Sequence, residues 1–120
     1  MTVNYHWRLQ PGETLSLSAS LAADIDPSAS LESPEVAFYS LSGETATATG
    51  WTVTSVAAND SPITNADGSV TAIGQAVVFR VAIPADAALG DYVAKIEADT
   101  DDGDHPVTER RLVVDGVRVP

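Results

Sequence analysis

The sequence predicts an all-β domain, an antiparallel β-sandwich of about seven strands. Two observations carry the sandwich. Apolar and polar residues alternate with period two through much of the chain, as strands with one buried face require. The alternating segments are short and are separated by Gly, Pro, Asn and Asp turns, and no segment holds a helical period beyond about two turns. A length of 120 residues suits one domain.

Thr14 to Leu21 is the clearest strand, with Leu15, Leu17, Ala19 and Leu21 on one face and Thr14, Ser16, Ser18 and Ser20 on the other. Pro11-Gly12 supplies the turn before it. Ser28 to Ser33 reads as a polar loop, and Val36 to Leu41 as a strand between Pro34 and Ser42-Gly43. Trp51 to Ala58, rich in Thr and Val, is a third strand, which the Asn59 to Pro62 break ends. The turn Asn65 to Gly68 leads into a short strand at Ser69 to Ala72. Ala76 to Ile83 points Val77, Phe79, Val81 and Ile83 inward and Arg80 outward, and Pro84 stops it. Ala85 to Gly90 is long enough for one helical turn. Asp91 to Ala98 places Tyr92, Ala94, Ile96 and Ala98 on one face. After the acidic turn Asp99 to Asp104, Val107 to Asp115 is the last strand, antiparallel to the one before it. The chain therefore divides into an arm or edge strand at 1–13, a sandwich at 14–115 and a tail at 116–120.

Composition excludes several functions. Seventeen acidic and six basic residues give a net charge of −11. That is the wrong sign for a nucleic-acid binder or for docking on an anionic membrane. No apolar run approaches the roughly 20 residues that span a bilayer, and residues 1–8 lack the basic start and apolar core of a signal peptide. With no cysteine there is no disulfide scaffold, thiol nucleophile or thiolate metal site.

The segment Asp86 to Ala94 holds the most informative local pattern, Gly90-Asp91-Tyr92-Val93-Ala94. It resembles the Gly-x-Tyr-x-Cys of immunoglobulin-like sandwiches, with Ala94 in the place of the cysteine. The resemblance implies that the Tyr92 ring joins the core, that its hydroxyl bonds the backbone of the preceding turn, and that Trp51 packs nearby. A longer resemblance is to small Ig-like accessory proteins of tailed-phage virions, of the fiber-tail adaptor type. It rests on Pro11-Gly-Glu-Thr-Leu-Ser-Leu-Ser-Ala19, on Val77-Val-Phe-Arg-Val81 followed by Gly90-Asp-Tyr-Val-Ala-Lys-Ile96, and on Glu109-Arg-Arg-Leu-Val-Val114. The stretch Gly43 to Gly74 is longer than such adaptors carry.

Candidate sites are few. Glu97, Asp99, Asp101, Asp102 and Asp104 crowd one turn, and calcium takes clustered carboxylates. An EF-hand loop starting at Asp99 needs an acid at 103, Gly at 104 and Glu at 110, where this chain has Gly103, Asp104 and Arg110. Asp99, Asp101, Asp102 and Asp104 are thus a weak Ca²⁺ candidate and fit a solvated hairpin tip better, with Arg110 and Arg111 placed to pair with it. His6 and His105, the two histidines, read as separate surface residues. No nucleophile elbow or phosphate loop occurs, so no enzyme activity, cofactor or metal is expected. Tyr5, Trp7 and Arg8 form an aromatic-basic arm suited to anchoring a partner, or an edge strand with Trp7 in the core. Arg118 and Val119 in the tail are suited to strand addition onto a neighbour. Trp51 and Tyr39 offer a sugar platform or core packing.

The expectation is a non-enzymatic virion protein, an Ig-like module bridging or decorating other virion proteins as a tail or fiber adaptor. Its partners would be tail, fiber or major capsid proteins and copies of itself. A capsid cement protein is one alternative. A carbohydrate- or surface-binding Ig-like module of a larger secreted protein is another.

Overall fold

The computed structural model describes residues 5–116. It has ten strands: β1 (Trp7–Leu9), β2 (Thr14–Ser20), β3 (Leu31–Ser42), β4 (Thr45–Ala48), β5 (Thr52–Ala58), β6 (Ile63–Thr64), β7 (Val70–Thr71), β8 (Ala76–Ala82), β9 (Gly90–Thr100) and β10 (Val107–Val114). One 3-10 turn, Ala22–Asp24, follows β2. A five-stranded sheet, ordered β1-β10-β9-β3-β4, packs on a three-stranded sheet, ordered β2-β8-β5, and β6-β7 forms a small hairpin. The molecule is an all-β sandwich consistent with the Ig-like class.

Three strands go beyond the alternation in the sequence: β1, β4 and β6. All pairings are antiparallel except β1 with β10, which runs parallel, Trp7 opposite Leu112 and Leu9 opposite Val114. Residues 7–9 therefore belong to the sheet. Ala85 to Gly90 forms no helix; Pro84 to Ala87 makes a single turn closed by Ala87 N–H to the Pro84 carbonyl at 3.1 Å. The loop read at 28–33 is shorter, because Leu31 already pairs with Thr100.

Two bulges explain why alternation fades in β3 and β5. Each inserts one residue, between Glu32 and Glu35 in β3 and between Thr54 and Ala57 in β5. A serine with positive φ sits in each, Ser33 at 49° and Ser55 at 56°. The extra residue resets which face follows. In β5 it lets Val53, Val56 and Ala58 all pack against the core although their spacing is three and then two.

The core is made where the two sheets face each other. Val77, Phe79, Val81 and Ile83 from β8 and its exit meet Phe38, Tyr92, Ala94, Ile96, Leu112 and Val114 from the larger sheet. Burying each of the larger side chains contributes roughly 1.5–3 kcal/mol. Rings link the sheets in series: Trp7 to Phe79 at 6.0 Å, Phe79 to Phe38 at 6.0 Å, Phe38 to Trp51 at 5.3 Å and Trp51 to Tyr92 at 4.7 Å between centroids. Tyr92 is buried, and its hydroxyl donates to the Ala88 carbonyl at 2.6 Å. That bond fixes the corner by which the chain passes from β8 to β9 in the opposite sheet. Burial also raises the Tyr92 hydroxyl above its ordinary pKa.

Tyr92→Phe keeps the ring and removes only the corner bond. It is expected to cost about 1–2 kcal/mol, because the Ala88 carbonyl loses its partner. Ile96→Ala, at a fully buried position, is expected to cost about 2–5 kcal/mol. Urea unfolding followed by tryptophan fluorescence measures both. A Tyr92→Phe midpoint equal to that of the parent chain would remove the corner bond from the account.

Candidate functional site

The acidic turn joins β9 to β10, and the carboxylates of Asp99, Asp101 and Asp102 are engaged in local structure. Ser30 N–H donates to Asp101 Oδ1 at 3.0 Å, and Asp101 N–H donates back to the Ser30 carbonyl at 3.1 Å. Thr100 Oγ1 bonds the Asp102 carboxylate and accepts from Asp104 N–H at 2.8 Å. Asp99 Oδ1 faces His105 Nδ1 at 2.7 Å. Among the described residues no three His, Asp or Glu side chains are grouped to hold a metal ion. The structure thus spreads Asp99, Asp101, Asp102 and Asp104 along a clamped hairpin and does not gather them around one point.

The crowding of acids has another consequence. On the β3/β9 ladder Glu32 stands opposite Asp99 and Glu35 opposite Glu97. Like charges directly across a sheet repel. His105 Nε2 and Lys95 Nζ both lie 3.6 Å from Glu97 Oε2, so Lys95, joined by His105 when protonated, offsets the repulsion. The Asp99 hydrogen bond, helped by Glu97, holds the His105 pKa above 6.5. Arg110 and Arg111 do not serve the acidic turn. Arg111 stands opposite Val93. Arg110 crosses to the smaller sheet and donates to the Ser20 carbonyl at 3.0 Å. Its register position opposite Ala94 explains this, because Ala94 faces the core and Arg110 shares its face.

The arm residues are held along the larger sheet. His6 N–H bonds the Arg111 carbonyl at 2.7 Å. Tyr5 donates its hydroxyl to Asp91 Oδ1 at 2.6 Å, and Arg8 pairs with Asp115 at 2.6 Å while its guanidinium lies 6.0 Å from the Tyr5 ring centre. Trp7 is half-buried against Phe79. Of the arm candidates, then, Tyr5 and Arg8 stay at the surface and Trp7 packs toward the core. Arg118 and Val119 lie outside the described residues.

His6 and His105 are far apart. His6 sits beside Arg111 and His105 precedes β10, which at roughly 3.3 Å per residue separates their backbones by about 20 Å. Partial desolvation and the nearby Arg110 lower the His6 pKa. Trp51 packs between Phe38 and Tyr92, whereas Tyr39 remains half-exposed on the outer face.

An open groove of about 700 Å³ runs between β1–β10, β2 and the β6–β7 hairpin, and His6, Trp7, Asn65, Asp67 and Arg110 are among its lining residues. Its polar groups work locally. Asp67 accepts from Ser69 N–H at 2.9 Å, Asn65 donates to Ser69 and Thr71, both at 3.0 Å, and Arg110 is held by Ser20. Two buried polar residues absent from the sequence-derived candidates hold the surrounding segments, Asn59 at the ends of this hairpin and Gln75 at the 27–29 loop. Asn59 donates to the Ser61 and Ala72 carbonyls at 2.9 and 3.0 Å and accepts from Ala76 N–H at 2.9 Å. Gln75 donates to the Pro27 carbonyl at 2.7 Å. Their only sequence signal is position beside turns. No described helix is long and apolar enough to cross a membrane.

Neither a protein-family model nor a curated protein matches this chain. Among solved structures it is similar to a family 123 glycoside hydrolase from Clostridium perfringens, described for glycolipid glycan hydrolysis. The TM-score is 0.51 and the identity 12%, over 100% of this chain and 24% of that one. The chain thus spans about a quarter of that hydrolase. At this identity the likeness shows a shared fold.

The His105 network predicts a pH dependence. A pKa raised by folding contributes stability that is full below the unfolded value near 6.5 and is lost as pH rises through the folded value. The His105 contribution to stability is therefore expected to fall from mildly acidic to mildly alkaline pH, and it is expected to shrink in Asp99→Asn. An NMR titration of His105 together with urea midpoints against pH checks this. A His105 that titrates at or below 6.5 contradicts it.

Proposed function

We propose that this chain is a non-enzymatic structural protein of a tailed-phage virion, an Ig-like module that bridges or decorates other virion proteins as a tail or fiber adaptor. The observation that supports this reading is where the chemically capable side chains go. Asp99, Asp101 and Asp102 of the β9–β10 turn, together with Asp67, Asn65, Arg110 and His105, are held in hydrogen bonds within the domain. The groove beside β2 has Asp67 and Arg110 tied into local bonds, and the rest of the described surface presents sheet edges and outer faces. Flat β surfaces and edges are what strand addition and face-to-face docking use.

Tyr5 and Arg8, side by side on the outer face of the larger sheet, are the contact residues in this reading, with tail, fiber or major capsid proteins as partners. A capsid cement role uses the same surface and differs in the partner. A glycan-binding module requires an exposed aromatic platform at Trp51 or Tyr39. Trp51 is packed against two rings, which leaves that alternative only Tyr39.

Mass spectrometry of purified particles encoded by the same genome is expected to find the chain at a fixed copy number per particle. Tyr5→Ala combined with Arg8→Ala is expected to lower incorporation at least tenfold without changing the urea midpoint by more than about 1 kcal/mol equivalent. Absence of the chain from purified particles overturns the proposal.

A further inference from the structure

Sheet edges left open are templates for another strand, and natural proteins guard them with charge, proline, bulges or covering segments. Three of the four edges of the two packed sheets are guarded. β1 is three residues long and carries Arg8. β5 has its bulge at Ser55. β2 is flanked by Arg110 on the Ser20 carbonyl and by Thr71 on the Ser20 hydroxyl. Among the described residues the fourth edge, β4, has none of these. Its sequence is Thr-Ala-Thr-Ala, all four residues are exposed, and among the described strands it pairs with β3 alone.

The direction of its free backbone groups follows from the register. Thr49 N–H bonds the Phe38 carbonyl at 3.0 Å, so Thr49, Thr47 and Thr45 turn their amides and carbonyls toward β3. Ala46 and Ala48 turn theirs outward. Two copies of β4 laid antiparallel about a twofold axis at Thr47 satisfy both residues, Ala46 of each copy opposite Ala48 of the other. The same register places Thr47 against Thr47, Thr45 against Thr49, and Glu44 against Gly50, so no acid faces an acid.

The side chains agree with this arrangement. Tyr39 shares a face with Ala48, and Leu41 with Ala46. Pairing two copies makes a continuous apolar belt, Tyr39 and Leu41 at each side and four small alanines between. The other face becomes a run of hydroxyls from Ser40, Ser42 and the threonines. Charge selects the same place. Each copy carries −11, yet Thr45 to Asn59 contains no charged residue, the longest such stretch in the chain. It is the part of the surface where two copies approach with the least repulsion.

We propose that β4 is a self-association edge, through which two copies of this chain join their five-stranded sheets into one ten-stranded sheet. The proposal is independent of the virion assignment, since purified chain decides the first and particles decide the second.

The chain has no cysteine, so a single introduced thiol reports the register. Thr47→Cys is expected to form a disulfide dimer readily, because a non-hydrogen-bonded antiparallel pair holds its Cα atoms about 4.5 Å apart, within disulfide reach. Thr45→Cys is expected not to, because its equivalent lies about four residues along the partner strand, roughly 13 Å away. Sedimentation equilibrium of the unmodified chain is expected to show a dimer that strengthens with added salt. Ala48→Pro removes an outward amide and leaves the β3 ladder intact, and is expected to raise the dimer dissociation constant more than tenfold with an unchanged circular dichroism spectrum. A chain that sediments as a monomer at all concentrations and salts overturns the proposal, and so does equal cross-linking of the Thr45→Cys and Thr47→Cys variants.

Discussion

One continuous chain of aromatic rings holds the two sheets in place. Trp7, Phe79, Phe38, Trp51 and Tyr92 are five of the seven aromatic residues, and each touches the next. The path zigzags from the larger sheet to the smaller one and back. Each contact adds roughly 0.5–1.5 kcal/mol beyond area burial. With no disulfide between the sheets, this path and the aliphatic layer around it set their spacing. Everything at the surface depends on that spacing, including the reach of Arg110 to Ser20 and the corner bond of Tyr92.

Much of this is legible in the sequence. Wherever one face of a strand is buried without interruption, alternation states the answer, as in β2, β8 and β9. The Tyr92 corner is legible because a tyrosine after Gly-x at a strand start has a specific geometric use. Three things are hidden. The bulges at Ser33 and Ser55 shift the period by one residue, so a strict period-two template loses β3 above Val36 and blurs β5. The β1 strand pairs in parallel with residues more than a hundred positions away, and three residues carry no periodicity. Arg110 looks like a partner for nearby acids, because sequence proximity cannot show that it shares the core-facing side with Ala94. Asn59 and Gln75 sit beside turns in the sequence, although both are buried and hydrogen-bonded. For the candidate site, composition finds the acidic turn and the arm, but their hydrogen-bond partners come only from the fold.

Charge is partitioned between the sheets in a way that the total of −11 conceals. Strands β2, β5 and β8 contain a single charged residue, Arg80, and no acid. The acids lie in loops and on the larger sheet, where Lys95, His105 and Arg8 are interleaved with them. One side of the molecule therefore repels copies and other anions, while the smaller sheet and the β4 edge are electrically quiet. A partner meets two different surfaces, and orientation in an assembly follows from that asymmetry.

The parallel run of β1 beside β10 matters once the molecule is under tension. A load applied between the two ends of the described chain draws β1 backward and β10 forward along a common axis. The bonds from His6 N–H to Arg111, from Asp115 N–H to Leu9 and the Arg8–Asp115 ion pair are then strained together. An antiparallel pair loaded at its open end would unzip one bond at a time. Here the bonds lie across the line of force and share it in shear, so they must give way together.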